Sequence, residues 1–273
     1  MDKRGKQRKG YRSNLNYRKR ISYLRINRKN RKDVEHMKKD VKLLVNGKRI
    51  DGRTPEQLRP IEMKVDVITR ADGSAEVRFG NTVALASVYG PRALYPKFLQ
   101  EQESGIIRVR YNMVPFSVDE RKSPGPDRRS MELSKVMRLA LEPAIFLEDF
   151  PKATVDVFVD ILQADGSTRV TGINAASLAL VCAGVPMRDL VAACSVGKIE
   201  GTLIVDLNGI EDNNSESDMA VAMMPGREEI TLLQMDGELD KQEIMKLLSF
   251  ARENCKKIYE LQKQTIKEKY KSE

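Results

Sequence analysis

Five carboxylates fall within thirteen positions of the segment IVDLNGIEDNNSESDMAVAMM: Asp206, Glu211, Asp212, Glu216 and Asp218, with no basic residue among them. A solvated acidic loop accounts for such a run without any chemistry. Apolar strands flank it, however, so Asp212 and Asp218 bracket a loop at strand ends. A carboxylate pair there can hold Mg²⁺, or share a proton with one pKa raised. A second candidate is ILQADGSTRVTGINAASLAL, where an apolar strand meets a polar knot and then an Ala-rich segment. Gly166 permits close backbone approach, Ser167 and Thr168 carry hydroxyls, and Arg169 offers a bidentate fork. With the free N–H groups of a following helix, these make a cradle for phosphate or carboxylate. The same residues also suit a capped turn whose arginine pairs at the surface. The tetrapeptide ADGS recurs at Ala71–Ser74, where it reads as a hairpin turn. In the third segment, ERKSPGPDRRSMELSK, Arg121, Lys122, Arg128 and Arg129 crowd a helix start. Cations there oppose the helix dipole, and an anionic ligand would relieve the cost.

Composition narrows the chemistry. The single histidine is His36, in a charged segment, which leaves no Ser-His-Asp or Cys-His nucleophile system. Proton transfer then falls to carboxylates, lysine or tyrosine. Cys182, Cys194 and Cys255 are widely spaced and form no C-x-x-C pair, so neither zinc nor a disulfide framework is expected. No apolar run of membrane-spanning length and no signal peptide is legible, so the expectation is a soluble, cytoplasmic protein. The net charge of +9 is unevenly placed. Residues 1–40 hold 16 Lys/Arg against 4 Asp/Glu, whereas the remaining residues hold 32 against 35. The basic extension has no sustained period and reads as disordered, suited to nonspecific RNA contact. Met37 is an alternative start.

The elements that must position these residues follow from periodicity. IEMKVDVI, AEVRFG and TVALASVYG form a meander of strands, and GPRALYPKFLQEQESG a loop before the strand IIRVRYNMV. SMELSKVMRLALEPAIF reads as a helix capped by Ser130, with Leu133, Val136, Met137, Leu139 and Leu141 on its buried face. ATVDVFVDILQ is a strand with Val155, Val157, Val159 and Ile161 on one side, followed by a helix from about Gly172 to Ala183. A second strand cluster covers LVAACSVGKIEGTLIVDL, DMAVAMM and EITLLQM. The last helix opens at a capping box, Asp240 and Glu243, and carries the stripe Ile244, Leu247, Leu248, Ala251, Cys255, Ile258 and Leu261. Cys255 reads as core packing. The order of elements gives an α+β sandwich with mostly antiparallel sheets. The expected organisation is one domain over residues 41–273 behind the basic extension.

QADGSTR, the loop with Asp212 and Asp218, and RVRYNMVPFSVDERK with RR and ELSKVMR resemble the RNase PH family. DGRTPEQLRPI, GNTVALASVYGP and SESDMAVAMMP bring the likeness closest to the catalytic RNase-PH-like subunits of archaeal exosomes. It runs from about Asn46 to the final helix. The resemblance implies the RNase PH fold (ribosomal protein S5 domain 2-like), with two βαβ-like halves. It implies that inorganic phosphate, as co-substrate, binds at Gly166, Ser167, Thr168 and Arg169 and attacks the last phosphodiester of an RNA 3′ end. A nucleoside 5′-diphosphate is released, and the reaction reverses as 3′ tailing. Asp212 would be the general acid for the leaving 3′ oxygen, with Asp218 supporting it or helping to hold Mg²⁺. Arg128 and Arg129, with Arg121, would grip RNA phosphates, and Tyr95 and Lys97 would form a constriction that single-stranded RNA threads, by stacking without sequence preference. The implied assembly is a hexameric ring alternating with a noncatalytic RNase PH-like sister subunit, capped by S1/KH-type RNA-binding proteins. Three other readings stay open: a noncatalytic scaffold of the same ring, a stand-alone tRNA 3′-end-trimming RNase PH, and an RNA-binding protein working through its basic tail.

Overall fold

The computed structural model describes residues 43–45 and 47–271. The basic extension and Met37 lie outside the described residues. Two short strands come first, β1 (Leu44–Val45) and β2 (Lys48–Arg49), paired antiparallel. The first large sheet contains β3 (Ile61–Val65), β4 (Gly73–Phe79), β5 (Thr82–Ala93), β6 (Ile106–Met113) and β7 (Ala153–Gln163), in the order β3-β4-β5-β7-β6. Its neighbours are antiparallel except β6 and β7, which α1 (Arg128–Leu141) joins as a parallel crossover. The second sheet has the order β11-β10-β8-β9, from β8 (Ala192–Ile199), β9 (Thr202–Val205), β10 (Ser217–Met224) and β11 (Glu229–Gly237). Here β9 and β10 both run antiparallel to β8, so they are parallel to each other across it. The short helix α3 (Gly209–Asn214) connects them. Each half therefore holds a βαβ-like unit, direct in the first and split around β8 in the second.

Between the sheets lies α2 (Thr168–Cys182), which packs on β4, β5 and β7 from one half and β8 and β10 from the other. It is buried nearly all round, and its buried polar residues Thr171, Asn174 and Ser177 all have hydrogen-bond partners, as a helix with almost no solvent face requires. Gly172 belongs to its interior because a side chain there would collide with the Met137 methyl. The helix begins at Thr168, four residues before the start expected from sequence, so the cradle residues form its first turn. Val155, Val157, Val159 and Ile161 of β7 are all buried, as their alternation requires.

In α1 the cap is Asp127, which accepts a hydrogen bond from the Ser130 amide at 2.7 Å; Ser130 is the reciprocal partner three residues on. That bond, then Lys122, draws the Asp127 carboxyl down to about 2. Asp127 thus supplies the negative charge that the helix start needs, so the clustered cations do not by themselves demand an anion. Leu133, Met137 and Leu141 face the core and Val136 is half-buried, but Leu139 is exposed; Ala140 takes its place. The C-terminal helix α4 (Lys241–Lys271) covers the second sheet. Glu243 accepts from the Asp240 amide at 3.0 Å, the returning half of the expected capping box. Leu261 is exposed, and Gln262 is buried instead, donating to Val191 O at 3.1 Å and Asn174 Oδ1 at 3.2 Å. An amide enters the stripe because two acceptors await it. Cys255 is core, with its sulfur 3.6 Å from that of Cys194.

Candidate active site

The cradle and the acidic segment meet in one cavity of about 210 Å³. Its walls include Gly166, Ser167, Thr168 and Arg169 from the start of α2, Asp212 from α3 and Asp218 from β10. Arg129, Met113, Val118 and Ser195 complete much of the rest.

Asp212 sits on α3, not in a loop as its sequence suggested. Asn208 caps this six-residue helix, accepting from the amides of Ile210 and Glu211 at 3.0 Å each, and the Glu211 carboxylate returns to the Asn208 amide at 2.9 Å. The N-x-x-E spacing is a capping-box signal that the sequence reading passed over. What anchors it has no such signal. Glu211 is fully buried and receives the Arg49 guanidinium through two bonds, from Nε at 2.7 Å and from Nη2. Beside it, Asp206 is clamped by Arg59, with Nε at 2.9 Å and Nη2 at 2.7 Å. Arg49 also donates to the carbonyls of Val205 at 2.6 Å and Asp206 at 2.8 Å. These arginines come from about 150 residues earlier in the chain. No local pattern could pair them with the acidic segment.

The cradle is tied to the same segment. Asp165 Oδ1 accepts from the Gly209 amide at 2.9 Å, at the start of α3. Gly166 has a φ of 70°, and a side chain on it would lie 2.6 Å from the backbone carbon of Asn208. The close approach that requires glycine is therefore by the chain's own backbone. Ser167 is left-handed, with a φ of 55°, and donates its hydroxyl to Leu207 O at 2.8 Å. Helix α2 has no side-chain cap, and its first residues, Thr168 to Val170, line the cavity. Arg169 is half-buried, and its Nε is buried without a partner. An uncapped helix start and an unpaired buried guanidinium nitrogen together describe an anion site.

Both acidic groups are raised above the ordinary carboxylate value. For Asp212 burial is the main cause and the Asp218 charge the second, opposed by Arg129, Arg169 and Arg59. For Asp218 burial again leads, opposed by Arg169 and reinforced by Asp236 across the strand pair. Desolvation outweighs the like-charge repulsion that the sequence alone suggested. Among the described residues no group of three or more His, Cys, Asp or Glu is arranged to hold a metal ion. Arg128 and Arg121 are exposed and do not line the cavity; of the arginine pair only Arg129 does. Tyr95 and Lys97 are exposed in the loop after β5, also outside the cavity wall.

Models of the 3′ exoribonuclease (RNase PH) family match this chain twice, domain 1 over residues 57–186 and domain 2 over residues 189–254. The chain belongs to that family. Among curated RNase PH relatives, the exosome complex component Rrp41 of Pyrococcus furiosus is 58% identical over 225 residues, spanning 82% of this chain and 90% of the relative. The protein of the same name from Methanopyrus kandleri is 51% identical over 225 residues, spanning 82% and 94%. Among solved structures, rice (Oryza sativa) Rrp46 superposes with a TM-score of 0.72 at 26% identity, covering 80% of this chain and 99% of that one. A chain of the Archaeoglobus fulgidus exosome with RNA bound to the active site gives 0.70 at 25% identity, covering 79% and 92%. The RNase PH fold is thus shared, and the expected α+β architecture with it. Among the described residues no helix is long and apolar enough to cross a membrane.

Proposed function

We propose that this chain is a catalytic 3′-to-5′ exoribonuclease subunit of an archaeal exosome, and that it cleaves by phosphorolysis. The observation that carries the reading is the shared cavity. The uncapped start of α2 and Arg169 line the same cavity as the half-buried Asp212, whose carboxyl is raised by burial above the ordinary value. Inorganic phosphate held by the first turn of α2 and Arg169 attacks the terminal phosphodiester phosphorus. The new P–O bond yields a nucleoside 5′-diphosphate as the bond to the preceding 3′ oxygen breaks. Asp212 gives its proton to that oxygen, so no alkoxide has to leave. Arg129 neutralises RNA phosphate at the cavity wall, and Arg128, Arg121, Tyr95 and Lys97 guide the strand toward it.

Of the two carboxylates expected to hold Mg²⁺, only Asp218 would be free for it, since Asp212 must keep a proton to serve as the acid; Mg²⁺ is commonly held by one or two carboxylates with water and substrate phosphate completing its shell. Bound there, the ion would offset negative charge between phosphate and RNA. The chain works in the cytoplasm within a hexameric ring, alternating with a noncatalytic RNase PH-like subunit beneath S1/KH-type cap proteins. The test is to incubate the chain and that partner subunit with 3′-labelled RNA, with and without inorganic phosphate. Nucleoside diphosphates formed only with phosphate support the reading. Monophosphates without it make the enzyme a hydrolase, and no product makes the chain a scaffold.

A further inference from the structure

We infer that Tyr111 is a positioning residue of the anion cradle, fixing the hydroxyl of Thr168 so that the Thr168 proton is the one offered to inorganic phosphate. The inference rests on the phosphorolytic reading and adds to it a residue from β6, far from the cradle in sequence.

Three hydroxyls line the cavity around the start of α2, and their protons can be counted. Ser167 Oγ donates to Leu207 O at 2.8 Å, which uses its only proton. Ser195 Oγ lies 2.6 Å from Ser167 Oγ, and since the Ser167 proton is committed elsewhere, Ser195 is the donor in that contact. Neither serine has a proton left for a ligand. Thr168 differs. Its Oγ1 accepts from the Tyr111 phenol at 3.0 Å, and its own O–H has no acceptor among the described residues. Thr168 is 7% exposed and lines the cavity beside Arg169.

Tyr111 is 2% exposed, with its ring in the core of the first half. Burial pushes its phenol above the ordinary tyrosine value, so it remains a donor throughout the neutral range. A threonine hydroxyl has one proton and two lone pairs. With one lone pair filled by Tyr111, the directions open to the Thr168 proton are restricted, and the cavity is the side that lacks an acceptor. Ordering a donor before the ligand arrives removes a cost from binding. Ser167, by contrast, has the structural task of fastening the left-handed turn to the Leu207 carbonyl.

The substitution Tyr111→Phe removes one oxygen and keeps the ring. In the chain assembled with its partner subunit, it should raise the KM for inorganic phosphate about tenfold, the scale of one misdirected hydrogen bond to a charged group. The KM for RNA and the thermal midpoint should stay near wild type. Because the effect passes through Thr168, adding Tyr111→Phe to Thr168→Val should not raise the phosphate KM further. An unchanged phosphate KM in Tyr111→Phe overturns the inference. So does full additivity with Thr168→Val, or an equal rise in both KM values together with a lowered midpoint. Loss of phosphate dependence in the wild-type assembly is a separate result, and it would overturn the phosphorolytic reading itself.

Discussion

Glu211→Gln is the sharpest probe of how the acid is held. The substitution preserves size and one carbonyl oxygen but removes the charge facing Arg49. In the native chain both partners have fully buried side chains, and a second arginine, Arg53, lies 3.8 Å from the same carboxylate. Asp206 cannot take over, because its oxygens are already engaged by Arg59 at 2.7 and 2.9 Å. Removing one member of a buried ion pair leaves an uncompensated charge, at a cost of about 3–5 kcal/mol. For a domain of this size that corresponds to a fall in thermal midpoint of about 6–20 °C. Glu211 is also the returning arm of the cap on α3, so the turn carrying Asp212 loosens, and turnover should fall even well below the new midpoint. The comparison variant is Glu243→Gln, whose carboxylate pairs with Lys198 at 2.7 Å in a partly exposed setting; it should leave the midpoint nearly unchanged. Scanning calorimetry and RNA degradation on both variants decide the matter. A midpoint in Glu211→Gln within about 2 °C of wild type, where one lost buried pair predicts several degrees or more, would refute the reasoning.

Asp212→Asn should lower turnover by about 10²–10⁴-fold while RNA binding persists, measured by degradation assays and by filter binding. The same variant should be more stable than wild type at pH 7. Burial raises the Asp212 carboxyl, so wild type loses stability as pH climbs from the ordinary value of 3.8 toward the folded value; the two proteins should converge below pH 3.8 in pH-dependent unfolding. Arg169→Ala should raise the KM for phosphate about tenfold or more with ring assembly intact, as loss of charge-assisted bonds predicts, checked by steady-state kinetics and size-exclusion chromatography. Replacing Arg128 and Arg129 together should weaken RNA binding on all sequences and flatten its salt dependence, with Arg129→Ala alone carrying most of the effect on cleavage because only it reaches the cavity. A titration of binding against salt separates the two.

Local chemistry was the legible part. The alternation of β7 and the small-residue run of α2 could be read directly, and so could the capping box that opens α4. So could the cradle residues and both aspartates, because hydroxyls, an arginine and clustered carboxylates declare their types wherever they fold. What could not be read depends on partners distant in sequence. Ser130 looked like a cap because nothing in SPGPDRRSM shows that Asp127 comes first. Leu261 looked buried because no rule of periodicity reports that Asn174 and Val191 offer acceptors to Gln262. Gly166 looked like room for a ligand, whereas the room is taken by the backbone at Asn208. Arg49 and Arg59 lie in a turn-rich entry segment that gave no sign of serving the acid.

These distant contacts change what kind of object the site is. A displacement at phosphorus requires the attacking oxygen and the group that protonates the leaving oxygen to keep a fixed relation, and misplacement by an ångström is costly. Here every tie between the cradle and the start of α3 has main chain on at least one side. The cradle turn contacts the start of α3 through Asp165 and the Gly209 amide, through Gly166 against the Leu207–Asn208 backbone, and through Ser167 and the Leu207 carbonyl. Each joins the first half of the molecule to the second. Arg59 adds a fourth tie, donating to Asp165 O at 2.6 Å while its other nitrogens hold Asp206. Asp212, Arg169 and Arg129 project from the scaffold that these ties build. The two halves therefore bring the start of α2 and Asp212 to one place as a consequence of packing together, and the buried charge network fixes their register.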